Sequence, residues 1–173
     1  MKTIGVISDT HGLMRPEALD VLRGADMIVH AGDIGAPEVL ERLRSTAQVV
    51  AIKGNNDRAA WARDIPETVE AKIESVKVFV IHSVNDLDFD PAAAGYRVVI
   101  SGHSHSPSIR EKGGVLYLNP GSAGPRRFKL PVAVARLEVD GAAVKAEIFP
   151  INIPTPTNSL TSAKSRHIKN PIF

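Results

Sequence analysis

The 173-residue sequence contains no cysteine. Disulfide scaffolds and thiolate zinc sites are therefore excluded, and any metal must be held by oxygen and nitrogen ligands. No uninterrupted apolar run is long enough to span a membrane. No charged-then-apolar leader precedes Thr3, where a strand-like pattern already begins, so a cytoplasmic protein is expected. No internal repeat is found. The body also lacks an excess of positive charge, although the whole chain carries a net charge of +2. Lys164, Arg166 and Lys169 lie in an acid-free stretch, Pro154 to Phe173; setting these three aside leaves 18 basic against 19 acidic residues. Nothing in that balance makes a nucleic-acid-binding surface. The whole chain is 43% hydrophobic and 23% charged, ordinary for one globular domain. That domain is expected over residues 1–153. A polar, basic tail is expected over 154–173, poorly ordered or wrapped on the surface, offering a contact for an anionic partner or a cover in a homo-oligomer.

Apolar runs rich in β-branched residues predict strands at Thr3–Ser8, Asp26–His30 and Gln48–Lys53. Between them, Arg15–Arg23 and Pro37–Leu43 have helical apolar spacing with proline in the first turn. Strand, helix, strand, helix, strand is the order of a parallel sheet with covering helices. The pattern then changes to strands alone. Val69–Ser75 and Val76–Ile81 form an expected hairpin, followed by a strand at Tyr96–Ser101. Ile109–Leu118 reads as a hairpin turning at Gly113-Gly114, and Val132–Val139 with Ala143–Phe149 as another around Asp140-Gly141. So many strands point to two packed sheets with helices outside.

The strand ends share a vocabulary. Asp9 and His11 follow the first strand, Asp33 the second and Asn55 the third; His82 then ends one later strand, and His103 and His105 follow another. Period two in an extended chain would aim Asp9 with His11, and His103 with His105, toward one side. Taken singly, each residue has an ordinary explanation: Asp33 as the cap of a helix, Asn55 as a turn residue, His82 as a satisfied core histidine. Taken together, they are seven O/N ligand candidates where α/β sheets gather ligands, at the carboxyl ends of strands. That is too many for one tetrahedral ion and suits two ions ~3.5–4 Å apart sharing a carboxylate. His30, inside a strand, reads as a packing or supporting histidine.

Asp9-Thr10-His11, Gly32-Asp33, Gly54-Asn55-Asn56-Asp57, His82 and Gly102-His103-Ser104-His105 resemble, in order, the motifs of the calcineurin-like metallophosphoesterases. Size, order and Asn119-Pro120-Gly121-Ser122 are similar to the small phosphodiesterase branch of bacteria and archaea. The resemblance implies an α/β fold, a four-layer α/β/β/α sandwich of two packed mixed sheets. It also implies two divalent ions, one held by Asp9, His11, Asp33 and His105, the other by Asp33, Asn55, His82 and His103. Manganese is the leading metal; iron, nickel, cobalt and zinc fit the same donors. The implied activity is hydrolysis of a small phosphodiester by a metal-activated hydroxide. Alternatives are a metal-poor protein-interaction scaffold of this fold and a nuclease of the superfamily.

Two departures matter. Many members carry histidine after the motif asparagine; here Asn56 stands there and supplies no acid, leaving a hydrogen bond to a phosphoryl oxygen as its role. Ser83 replaces the glycine that often follows the fourth-motif histidine. Asp57 is expected to orient Asn56 or cap the next turn, and Arg126 or its neighbour Arg127 to clamp a phosphate.

Overall fold

The computed structural model describes residues 1–153; the expected tail, 154–173, lies outside the described residues. In chain order the elements are β1 (Lys2–Ile7), α1 (Pro16–Leu22), β2 (Met27–Ala31), α2 (Pro37–Arg44), β3 (Gln48–Ile52), β4 (Thr68–Ile73), β5 (Val76–Ile81), β6 (Val98–Ile100), β7 (Ser108–Lys112), β8 (Val115–Asn119), β9 (Ala133–Asp140) and β10 (Ala143–Pro150). Single 3₁₀ turns occur at Ala60–Ala62 and Val84–Asp86. The strands form two five-stranded mixed sheets, ordered β10-β9-β1-β2-β3 and β4-β5-β6-β8-β7.

Alternation within the strands decides what packs where. Ile4 and Val6 of β1 point into the space between the sheets, with Val29 and Leu137 beside them and Val78, Val98 and Ile100 opposite. Ile7 and Ile28 point the other way, onto Leu22 of α1 and Val39 and Leu43 of α2. Burial of each such side chain contributes about 1.5–3 kcal/mol. Gly5 sets how closely α1 can approach, since a β-carbon there would lie 2.6 Å from the Leu22 side chain.

The other outer face differs from the expected layer of helices. Phe79, Tyr96 and Val99 are covered by Leu87 and Phe89, from a segment with one 3₁₀ turn and, among the described residues, no α-helix. The cause is local: Asn85-Asp86-Leu87-Asp88-Phe89-Asp90-Pro91 is turn chemistry with poor helix propensity.

β1, β2 and β3 run parallel, as do β5, β6 and β8. Their carboxyl ends meet along one rim, which carries the candidate ligands.

Candidate metal centre

Asp9 and His11 lie beyond the end of β1, not on it. Both have positive φ, 53° and 46°, and so do Asp33 at 53°, His103 at 65° and His105 at 57°. Five of the seven candidate ligands thus occupy the left-handed region, costly for non-glycine residues and concentrated at functional sites. The side chains converge through these turns rather than through the period of an extended strand. Backbone ladders hold the turns: Asp9 N–H donates to Gly32 O at 3.0 Å, His11 N–H to Asp33 O at 3.0 Å, and Gly12 N–H to Ile34 O at 2.7 Å.

The structure brings all seven together. His105 Nε2 is 3.2 Å from Asp9 Oδ1 and 3.3 Å from His11 Nε2. Asp9 is fully buried, and its Oδ1 has no hydrogen-bond partner. An unsatisfied buried carboxylate oxygen facing two imidazole nitrogens is costly in isolation and fits a cation. Next to it, His82 Nε2 lies 3.5 Å from Asp33 Oδ2 and 3.1 Å from Asn55 Oδ1, and Asn55 Oδ1 is 3.1 Å from His103 Nδ1. His82 Nδ1–H donates to Ala31 O at 2.7 Å, which turns Nε2 toward those oxygens. Asp33 stands between the halves, its Oδ2 also 3.9 Å from His11 Nε2. Two overlapping clusters, Asp9–His11–His105 and Asp9–Asp33–His82, place their ligand atoms within 4.8 Å of one another.

The electrostatics favour charged carboxylate. Burial alone would raise the Asp33 pKa, but hydrogen bonds from His82 and from the Asn56 backbone and side chain overcome it and hold the carboxyl well below its usual range. Burial opposes charge on His82 too, yet Asp33 and the Ala31 carbonyl raise its pKa. On His11 burial wins and the pKa falls.

A sequence profile of the calcineurin-like phosphoesterase superfamily domain matches residues 1–142. The chain belongs to this superfamily. It is 38% identical over 163 residues to a probable metallophosphoesterase of Methanothermobacter thermautotrophicus, covering 87% of this chain and 94% of that one. It is 29% identical to the phosphodiesterase MJ0936 of Methanocaldococcus jannaschii, covering 68% and 82%. Its fold matches Vps29 of Chaetomium thermophilum with a TM-score of 0.71 at 16% identity, covering 88% of this chain and 98% of that one. Calcineurin-like phosphoesterases use divalent metal ions, and the donors gathered here, carboxylate, imidazole and amide, suit such ions.

Three expected roles differ in the structure. Asn56 does not simply face the open cleft: its side-chain amide donates to Asp33 Oδ2 at 2.7 Å and its backbone N–H to Asp33 Oδ1 at 2.9 Å. Both bonds hold the central carboxylate in place, and the second amide proton is not used by Asp33. Asp57 neither orients Asn56 nor caps the next turn. Its buried carboxylate accepts the N–H groups of Ile34, Gly35 and Gly54 at 3.0, 2.8 and 2.9 Å, tying the Asp33 and Asn55 turns together. Of the two arginines, Arg127 reaches the centre, with Nη2 3.5 Å from His11 Nε2; Arg126 is exposed and hydrogen-bonded to nothing among the described residues.

Supporting residues complete the frame. Asn119 donates to Gly102 O at 2.7 Å and to Ser104 Oγ at 3.1 Å, pinning the His103–His105 turn. Ser122 donates to Asp9 O at 2.8 Å, and Ser8 to Asp9 Oδ2 at 2.7 Å. His30 is a supporting residue: Gly32 N–H donates to its Nδ1 at 3.2 Å, so Nε2 carries the proton and donates to Thr10 Oγ1 at 2.9 Å. The sequence signal for Asn119 and Ser122 was their shared motif; Ser8 had none beyond its position before Asp9.

Proposed function

We propose that this chain is a dinuclear-metal-dependent phosphodiesterase. The observation that carries the proposal is the orphaned, fully buried Asp9 Oδ1 beside His11 and His105, next to a second donor group centred on Asp33 and Asn55. Asp9, His11, Asp33 and His105 would hold one ion and Asp33, Asn55, His82 and His103 the other, with manganese the leading metal. Bound there, divalent ions supply Lewis acidity toward a phosphoryl oxygen and activation of water. The chain's own residues do the rest. Asn56 orients Asp33 and offers its second amide proton to the phosphate. Arg127 presents a guanidinium, the natural partner of a phosphate edge, beside His11. Neither group donates a proton to an alkoxide at neutral pH, so the site suits leaving groups that depart without help.

A metal-poor scaffold role is disfavoured by the donor set itself. Buried acids and imidazoles held in strained turns are expensive to keep without ions. Asp33→Asn tests the reading: the variant should lose both bound metal and turnover of a chromogenic diester. Retention of both would remove the two-ion centre from the account.

A further inference from the structure

We propose that Arg110 and Lys112 of β7 form a second anion-binding subsite, which takes a distal phosphate on one arm of the phosphodiester substrate; this rests on the phosphodiesterase reading above.

Two clefts flank His103, and the segment from Ser83 to Phe89 separates them. The first, about 720 Å³, has an apolar wall at Phe79, Ile81 and Leu87. Its charged residues are Glu67, Asp86 and Asp88 against Lys53, which already pairs with Glu67 at 3.5 Å. The second cleft, about 910 Å³, is charged oppositely. The two-residue period of β7 puts Ser108, Arg110 and Lys112 on one face, and all three line this cleft. Asp90 is the one acid lining it among the described residues, and its carboxylate already accepts the Ala92 N–H at 3.0 Å. Among the described residues no ion pair uses Arg110 or Lys112. Ser104, Ser106 and Ser108 add hydroxyl donors between these cations and His103.

Register fixes the spacing. Ser108 pairs with Asn119, and the Asn119 amide holds Gly102 O and Ser104 Oγ, so β7 begins beside the His103 turn. Arg110 then stands about 7 Å further along the strand and Lys112 about 13 Å. That is too far for the phosphate under attack at the metal centre. It is within reach of a second phosphate carried on the same arm, as on a nucleoside. Arginine meets such a group through its planar fork. The acids of the first cleft repel a second anion, so the charged arm is directed to one side only.

The test uses the manganese-loaded protein and two chromogenic substrates, the p-nitrophenyl ester of thymidine 5′-phosphate with and without a 3′-phosphate. The 3′-phosphorylated substrate should have a kcat/KM about ten-fold higher, mostly through KM, as two exposed charge contacts would give. The preference should shrink with added salt and fall to about one-fold in Arg110→Ser/Lys112→Ser. Equal kcat/KM for the two substrates in the wild type, or a preference that survives the double substitution, would overturn the subsite. Hydrolysis of neither substrate would count against the phosphodiesterase reading instead. Calorimetric binding of thymidine 3′,5′-bisphosphate against thymidine 5′-phosphate then decides the subsite alone: equal affinity refutes it, as does a preference that Arg110→Ser/Lys112→Ser leaves intact, and a preference lost in that double variant supports it.

Discussion

Replacing His30 by glutamine should remove a large part of the fold's sensitivity to acid. Burial pushes the imidazole from 6.5 down to about 4. The folded protein therefore keeps His30 neutral at pH values where the unfolded chain takes up a proton. Above the unfolded value nothing is lost; as pH falls toward the folded value, stability drains into the unfolded state. Linkage over that window gives a loss of ~2 kcal/mol by about pH 5 and ~3 kcal/mol by about pH 4. Glutamine keeps an amide donor for Thr10 and cannot titrate. At about pH 7.5 the variant should be less stable by ~1 kcal/mol, the usual cost of an imperfectly replaced buried hydrogen bond. By about pH 5 that deficit should vanish or reverse. Urea unfolding of both proteins, treated with chelator so that metal release does not intrude, measures the difference directly. The remaining histidines titrate in both proteins and cancel in the comparison. A stability difference that stays constant between about pH 7.5 and 5 would refute the reasoning.

Asn119→Ala leaves the buried Gly121 N–H without its acceptor and takes one of two donors from the Gly102 carbonyl, so it should cost ~1–3 kcal/mol and lower manganese affinity ten- to hundred-fold, read by unfolding and by calorimetry. In Gly54→Ala the new β-carbon would overlap Asp33 Oδ1 and the Asp33 N–H, so metal binding should be lost more completely than stability; a variant with wild-type affinity would contradict the packing described. Diester hydrolysis should depend steeply on leaving-group pKa. Asn56→His should improve poor leaving groups relative to good ones, by up to the ~10²–10⁴-fold of a positioned acid, less whatever the loss of the Asp33 contact removes. A flat leaving-group series for the wild type would show that another group already serves as the acid.

Most of the architecture was legible in the sequence because the strands are apolar and their ends abrupt. β1 to β3 with the two intervening helices follow from period and proline placement, and the hairpin turns at Gly113-Gly114 and Asp140-Gly141 from turn chemistry; the first hairpin turns at Glu74-Ser75, one residue of which was expected to belong to the strand. The thin covering of the second sheet was not foreseen: the strand count implies two sheets but not what covers their outer faces. Candidate ligands were legible as residue types at strand ends, while their means of convergence was not. Period two suggested extended D-x-H and H-x-H pairs, whereas the structure uses left-handed turns, which those residue types do not announce. Nor could spacing show that Asp57 reaches back to Ile34 and Gly35, more than twenty residues earlier, or that Arg127 rather than Arg126 lies beside His11. Both are outcomes of how separate turns stack.

The central claim is that converging strand ends hold divalent ions which make the chain a phosphodiesterase. It is tested most directly by stripping the protein with chelator and following hydrolysis of bis(p-nitrophenyl) phosphate as manganese is titrated back. The account predicts no turnover in the stripped protein and activity that rises to saturation as two ions bind per chain. Turnover that persists without metal, or fails to appear at any metal concentration, would contradict it.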